Sequence, residues 1–326
     1  MIKKITAALV GAAMMMSLAS CADAGSSKKD GKVSIVCTIF PEYDWVKNIT
    51  EGVTDVEITY LLDSGADLHS YQPTAEDILI ISDCDLFIYA GGESDKWVDD
   101  ALENKRNEDM KIINMLDVIG DKAKEEEVKE GMQAEEEEEH GEEEEDEKEY
   151  DEHVWLSVDN AKTVCKVIAD DLSEIDDANK ESYKKNYDAY ITELDKLDAD
   201  FKALADSASQ KTLIFGDRFP FRYFTDEYGF DYYAAFVGCS AETEASFETI
   251  AFLAKKVDEL SVGTVFTIEN SDGKIAQAII DNTQAKSAKT ATLYSLQSVT
   301  KEQLDYDHTY ISLMRKNLET LKTALS

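Results

Sequence analysis

Imidazole is scarce in this chain: His69, His140, His153 and His308 are its only histidines. An imidazole can move protons near neutral pH or donate a lone pair to a borderline divalent metal. His69 lies in Asp63-Ser64-Gly65-Ala66-Asp67-Leu68-His69-Ser70-Tyr71-Gln72-Pro73-Thr74, after a strand pattern and before a helical one. That puts it beyond the C-terminal end of a parallel strand, the edge where open α/β sheets bind ligands. His153 follows Asp151-Glu152 and precedes Val154-Trp155-Leu156, where an acidic run turns apolar. A helix begins there, and Ser157 or Asp159 can cap it. Each of these two histidines reads either as a ligand or as a surface residue beside a helix start. His140 stands among glutamates, as an auxiliary metal donor or as part of a solvated insert. His308 marks the start of the last helix and takes no role.

The elements that must position these groups alternate. Strand patterns fall at 33–39, 56–62, 85–89 and 111–115, with helical patterns at 42–51, 74–82 and 96–107 between them. A second series has strands at 212–215, 232–236, 264–268 and 290–293, and helices at 219–228, 247–260, 274–283 and 310–325. Such alternation predicts an α/β fold, with parallel-type sheets flanked by helices in two lobes. Between the series, 159–205 carries no strand signal. There Tyr183, Tyr187, Tyr190, Leu194, Leu197, Phe201 and Leu204 recur in alternating steps of four and three, which keeps one stripe on one helix face. A helix of roughly 27 residues is about 40 Å long, enough to span two lobes. The alternative is an ordinary amphipathic helix inside one lobe. The segment 121–152 breaks the pattern, with 19 acidic residues against four lysines, net −15. Like charges repel and bury nothing, which predicts a mobile, solvated acidic loop.

The first residues read as an export signal. Lys3 and Lys4 precede an apolar stretch, 5–18, too short to be read first as a membrane span. Leu18-Ala19-Ser20-Cys21 resembles a bacterial lipobox. It implies a signal peptide at 1–20, lipidation of Cys21, and a flexible tether at 21–32 on the extracytoplasmic face of the cell membrane. About 305 mature residues suit two lobes better than one. The net charge of −36 argues against nucleic acid and against docking on anionic headgroups. Cys37, Cys84, Cys165 and Cys239 are widely spaced, with no CxxC pair, so a zinc ribbon has no support. Three disulfide pairings are open to them; the alternative is that they are small buried apolar residues.

Several stretches resemble one family in order along the chain. Asp67 to Asp77, with its histidine, Tyr71 and Pro73-Thr74, resembles a hallmark of the zinc and manganese solute-binding lipoproteins of bacterial metal ABC importers, the cluster A-I family. Asp151 to Ala161 resembles the second motif: an acidic residue, His, Trp-Leu-Ser and Asn-Ala. Phe215-Gly216-Asp217-Arg218-Phe219-Pro220-Phe221-Arg222-Tyr223-Phe224 resembles the third, Gly238-Cys239-Ser240-Ala241-Glu242-Thr243-Glu244 the turn before a C-lobe helix, and 265–269 the fourth ligand region. The resemblance implies an N-terminal lobe at 33–175, one long rigid linking helix at 176–208 and a C-terminal lobe at 209–326, with a metal in the cleft. His69 and His153 match its N-lobe imidazole ligands. Asp217 stands where zinc-type members have a third histidine and manganese-type members an acid, and Glu269 matches an acidic residue near the site. Where relatives often end the last strand in an aspartate ligand, this chain has Tyr294, so the fourth ligand is left between Glu269, Tyr294 and water.

Two imidazoles and one or two carboxylates suit Zn(2+) and also Mn(2+). The acidic insert, placed as zinc-type members carry theirs, favours zinc. The implied partner is the membrane permease of an ABC importer, and the implied protein is a monomeric receptor, not an enzyme. A zinc hydrolase would use the same donors with Glu269 as base, but there is no HExxH helix and no nucleophile elbow. A surface adhesin or interaction module using the acidic loop is the remaining alternative.

Overall fold

The computed structural model describes residues 31–103, 105–133, 149–240, 244–304 and 308–326. The signal segment, Cys21, most of the tether and His140 lie outside these residues. Two four-stranded, wholly parallel sheets form. The first contains β1 (Val33–Cys37), β2 (Val56–Tyr60), β3 (Leu86–Tyr89) and β4 (Lys111–Asn114) in the order β2-β1-β3-β4. The second contains β5 (Thr212–Phe219), β6 (Asp231–Val237), β7 (Thr264–Ile268) and β8 (Lys289–Leu293) in the order β6-β5-β7-β8. One permutation is used twice. In each sheet the strand order reverses beside the first strand, which opens a crevice at the C-terminal edge.

The helices are α1 (Phe40–Ile49), α2 (Ala75–Asp83), α3 (Trp97–Leu102), α4 (Met115–Ile119), α5 (Val158–Ile175) and α6 (Lys180–Ser207). After β5 come α7 (Arg222–Tyr228), α8 (Phe247–Leu260), α9 (Lys274–Asn282), α10 (Lys301–Leu304) and α11 (Tyr310–Ala324). The predicted stripe is the buried face of the 28-residue α6: Tyr183, Tyr190, Leu194, Leu197, Phe201 and Leu204 are buried, and Tyr187 partly so. One apolar cluster takes Ile35 from the first sheet, Phe201 from α6, Phe266 from the second sheet and Leu318 from α11. Each sheet's opposite face closes its own smaller cluster, around Phe87 in the first and Leu253 in the second. The C-terminal helix returns to the first half, where Tyr310 N–H donates to Asp44 Oδ2 at 3.0 Å and Tyr310 O–H to the Trp155 carbonyl at 2.7 Å.

Two local expectations are corrected, at 219 and in the acidic segment. The segment 159–205, read without strand, is two helices, since the chain leaves helical geometry at Asp176 (φ −134°, ψ 73°). Asp176 Oδ2 then accepts from Tyr183 O–H and Asn179 Nδ2. The helix expected from 219 starts at Arg222, and β5 runs on to Phe219. Pro220 holds the residue before it extended and carries no N–H for a helix. The acidic segment is not solvated throughout. Glu125 and Tyr150 form an antiparallel bridge, Gln133 N–H donates to the Ala235 carbonyl, and Lys129 Nζ pairs with Asp231 at 2.6 Å. The roots of the insert find opposite charge and open backbone groups on the second sheet; 134–148 lie outside the described residues.

Burial pushes the Asp44 carboxyl up to about 6, even though Tyr310 N–H and Tyr190 O–H donate to it. A raised carboxyl favours the fold while protonated, so that contribution is lost as pH rises from about 4 to about 6. Asp44→Asn keeps an acceptor without the charge. Its stability relative to the parent, read from urea unfolding, should improve by on the order of 2 kcal/mol between pH 4 and pH 7. An unchanged difference across that range would refute the assignment.

Candidate metal centre

The site forms where strand ends of both sheets meet. Ser157 caps α5 through Asn160 N–H, which fixes the turn before it, and His153 is fully buried there. Asp151 Oδ1 accepts from both the backbone N–H of His153 and its Nδ1, at 2.9 and 3.1 Å. With Nδ1 as donor, the Nε2 lone pair is free for a metal.

His69 arrives on the loop after β2. Asp67 caps the short turn Leu68–Ser70 by accepting from His69 N–H, and the imidazole side chain is 6% exposed. Its Nδ1 lies 2.7 Å from Ser94 Oγ and 3.5 Å from Glu152 Oε2. Its Nε2 faces His153 Nε2 at 3.3 Å. Two donors at tetrahedral zinc, each 2.0–2.1 Å from the ion, stand about 3.3 Å apart. The spacing of the imidazole pair therefore matches that of two donors on one zinc ion.

Asp217 and Glu269 come from the second sheet. Asp217 lies inside β5, at a register shift between Phe215 and Arg218. Its Oδ1 accepts from Arg218 N–H and its Oδ2 from Ile268 N–H at 3.4 Å. Glu269 follows β7 and accepts from Ser295 N–H at 2.6 Å and Ser295 O–H at 2.8 Å. Both line one cleft of about 560 Å³ with His69, Gly65, Asp67 and Arg218. Arg218 Nη2 crosses that cleft to Asp67 Oδ2 at 2.5 Å. Tyr294 turns to α11 instead: its N–H donates to Asn317 Oδ1 and its carbonyl accepts from Asn317 Nδ2.

A tighter group went unread in the sequence. Donor atoms of His69, Glu152 and Cys239 lie within 4.8 Å of one another, the one such trio found among the described residues. Asp217 and Glu269 are outside it. All four described cysteines are free, but only Cys37, Cys84 and Cys165 are fully buried. Ser94 was also missed; the signal for it was Gly91-Gly92 after β3, a pair that lets the chain turn back under His69. Gly92 has φ 83° and ψ −161°, a conformation essentially confined to glycine. A Cβ there would stand 2.7 Å from Glu152 Oε1, which itself accepts from Ser94 N–H at 2.7 Å.

The family model of the zinc-uptake complex component A periplasmic proteins, ZnuA, matches residues 35–324. The chain belongs to this family. The high-affinity zinc uptake system protein ZnuA of Bacillus subtilis is 32% identical over all of this chain and 99% of its own length. The zinc-binding protein AdcA of Streptococcus pyogenes is 31% identical over 90% of this chain, which spans only 56% of that relative. The crystal structure of the Zn(II)-bound ZnuA-like domain of Streptococcus pneumoniae AdcA superposes with a TM-score of 0.70 at 28% identity, covering 90% of this chain and 99% of that one.

In this ZnuA-family chain the buried centre is rich in negative charge. Burial opposes the charged form of His153, but Asp151, Glu152 and Glu126 outweigh it and hold the imidazolium above its usual range. Burial pushes the Cys239 thiol well up, and Glu152, Asp151 and Glu126 add to that. Burial also opposes ionisation of Glu152, yet the His69 and Ser94 contacts prevail and lower its carboxyl. Gly92→Ala should destabilise the protein by about 1–3 kcal/mol, since it forces a strained backbone and displaces Glu152. Chemical unfolding would show it, and a variant as stable as the parent would contradict the strained-loop account.

Proposed function

We propose that this protein is an extracytoplasmic receptor that captures one zinc ion and delivers it to the permease of an ABC importer, without catalysing a reaction. The observation that carries the reading is the facing Nε2 pair of His69 and His153 at 3.3 Å, each imidazole held from its Nδ1 side. The zinc named for the relatives supports the choice of cargo. Asp217 and Glu269 form the acidic wall of the cleft, across which the ion reaches the imidazoles. On this reading the halves at 33–175 and 209–326 act as two lobes joined through 176–208, and Cys21 anchors the protein to the membrane. Among the described residues no helix is long and apolar enough to cross a membrane, which fits attachment through a lipid.

Titration of metal-free protein with zinc against a competing chelator tests the reading. His69→Ala should weaken binding by two orders of magnitude or more, roughly the loss of one good donor; unchanged affinity would remove His69 from the site. Deletion of 135–149 should leave tight binding of one zinc intact. If tight binding disappears with the insert, the acidic segment and not the cleft is the receptor.

A further inference from the structure

We infer that Cys239 is a ligand of the bound ion, its thiolate joining the two imidazoles, and that Glu152 supplies the second negative charge of the same site. The inference rests on the metal-receptor reading and deepens it. The trio of His69, Glu152 and Cys239 donor atoms within 4.8 Å is its geometric basis; His153 is not one of the three and joins them through its Nε2, 3.3 Å from His69 Nε2. An independent sign is Glu152 Oε2, fully buried and without a hydrogen-bond donor, with His69 Nδ1 3.5 Å away. A buried carboxylate oxygen left in that condition is costly unless a cation meets it. The backbone also holds the cysteine at the imidazole pair. Cys239 N–H donates to Glu126 Oε1 at 3.2 Å. The preceding Gly238 lies so close to His153 that a Cβ would stand 3.0 Å from Cε1.

The charge count agrees. Two neutral imidazoles, one thiolate and one carboxylate carry −2, which cancels the charge of a divalent ion. As the sulfur–metal bond forms, the thiol proton leaves to solvent and nothing is oxidised. Thiolate is a soft donor that favours zinc, whereas imidazole and carboxylate serve zinc and manganese alike. Cys239 is therefore the residue that turns a general divalent site into a zinc-selective one. Cys37, Cys84 and Cys165 are buried in the apolar clusters, and on the lipoprotein reading the Cys21 sulfur is acylated, so a thiolate signal from the bound metal would belong to Cys239.

Cobalt(II), bound in place of zinc to the full chain, reports thiolate ligation through a sulfur-to-metal charge-transfer band in the near ultraviolet. The parent should show this band at one cobalt per chain. Cys239→Ser should lose it, bind zinc on the order of tenfold or more weakly, and discriminate less between zinc and manganese. Glu152→Gln should keep the band and weaken zinc binding. A parent complex with one tightly held cobalt and no band overturns the thiolate assignment, whether or not the serine variant folds. So does a band that persists in Cys239→Ser. Either result leaves the receptor reading standing. A parent that holds neither zinc nor cobalt tightly would overturn the receptor reading itself.

Discussion

The Nε2 atoms of His69 and His153 stand 3.3 Å apart; with both rings protonated at Nδ1 they present two lone pairs to one place, which a cation satisfies. Much of the local structure maintains that arrangement. Asp151 Oδ1 accepts from Nδ1 of His153, and Ser94 and Glu152 stand beside Nδ1 of His69. Each contact fixes a ring orientation before any ion arrives, and the Asp151 carboxylate, which can only accept, favours the Nδ1–H tautomer of His153. The cost of ordering the donors is met in folding, and little of it is left to oppose metal binding.

The topology explains how donors so distant in sequence come together. Parallel strands put the loops after β2 and β3 at one edge of the first sheet and those after β6 and β7 at one edge of the second, and the two edges meet at the cleft. His69, Ser94, Cys239 and Glu269 follow those four strands in turn. His153 comes from none of them. It sits on the return from the acidic insert, whose roots are tied to the second sheet by Lys129, Gln133 and Glu126. The apolar cluster that runs from the first sheet through α6 to the second and to α11 couples the two halves mechanically.

Hydrophobic periodicity was sufficient for the sheets, for their parallel sense and for the stripe on α6, because burial of an apolar face is a property of residues close in sequence. It also located His69 and His153, since a scarce residue type at a strand end or a helix start stands out locally. A boundary failed where a single residue overrode the pattern: β5 ran on to Phe219, and Pro220 put off the helix to Arg222. The acidic segment misled for a related reason. Its net charge describes the average residue, while its roots are decided by particular partners on the second sheet.

What the sequence by itself determined is the set of local preferences: which segments are strands, which face of α6 is apolar, where imidazoles occur and that the chain carries a large negative charge. Only the tertiary structure decided which donors share a centre. Glu152 was visible merely as a neighbour of His153, and Cys239 as one of four separated cysteines. Asp217 and Glu269 were matched by position, yet they stand on the cleft wall with oxygens already engaged by Arg218, Ile268 and Ser295. The physical reason is range. Side-chain convergence over 84 residues, the separation of His69 and His153, is set by strand order and loop closure, and no local pattern encodes either.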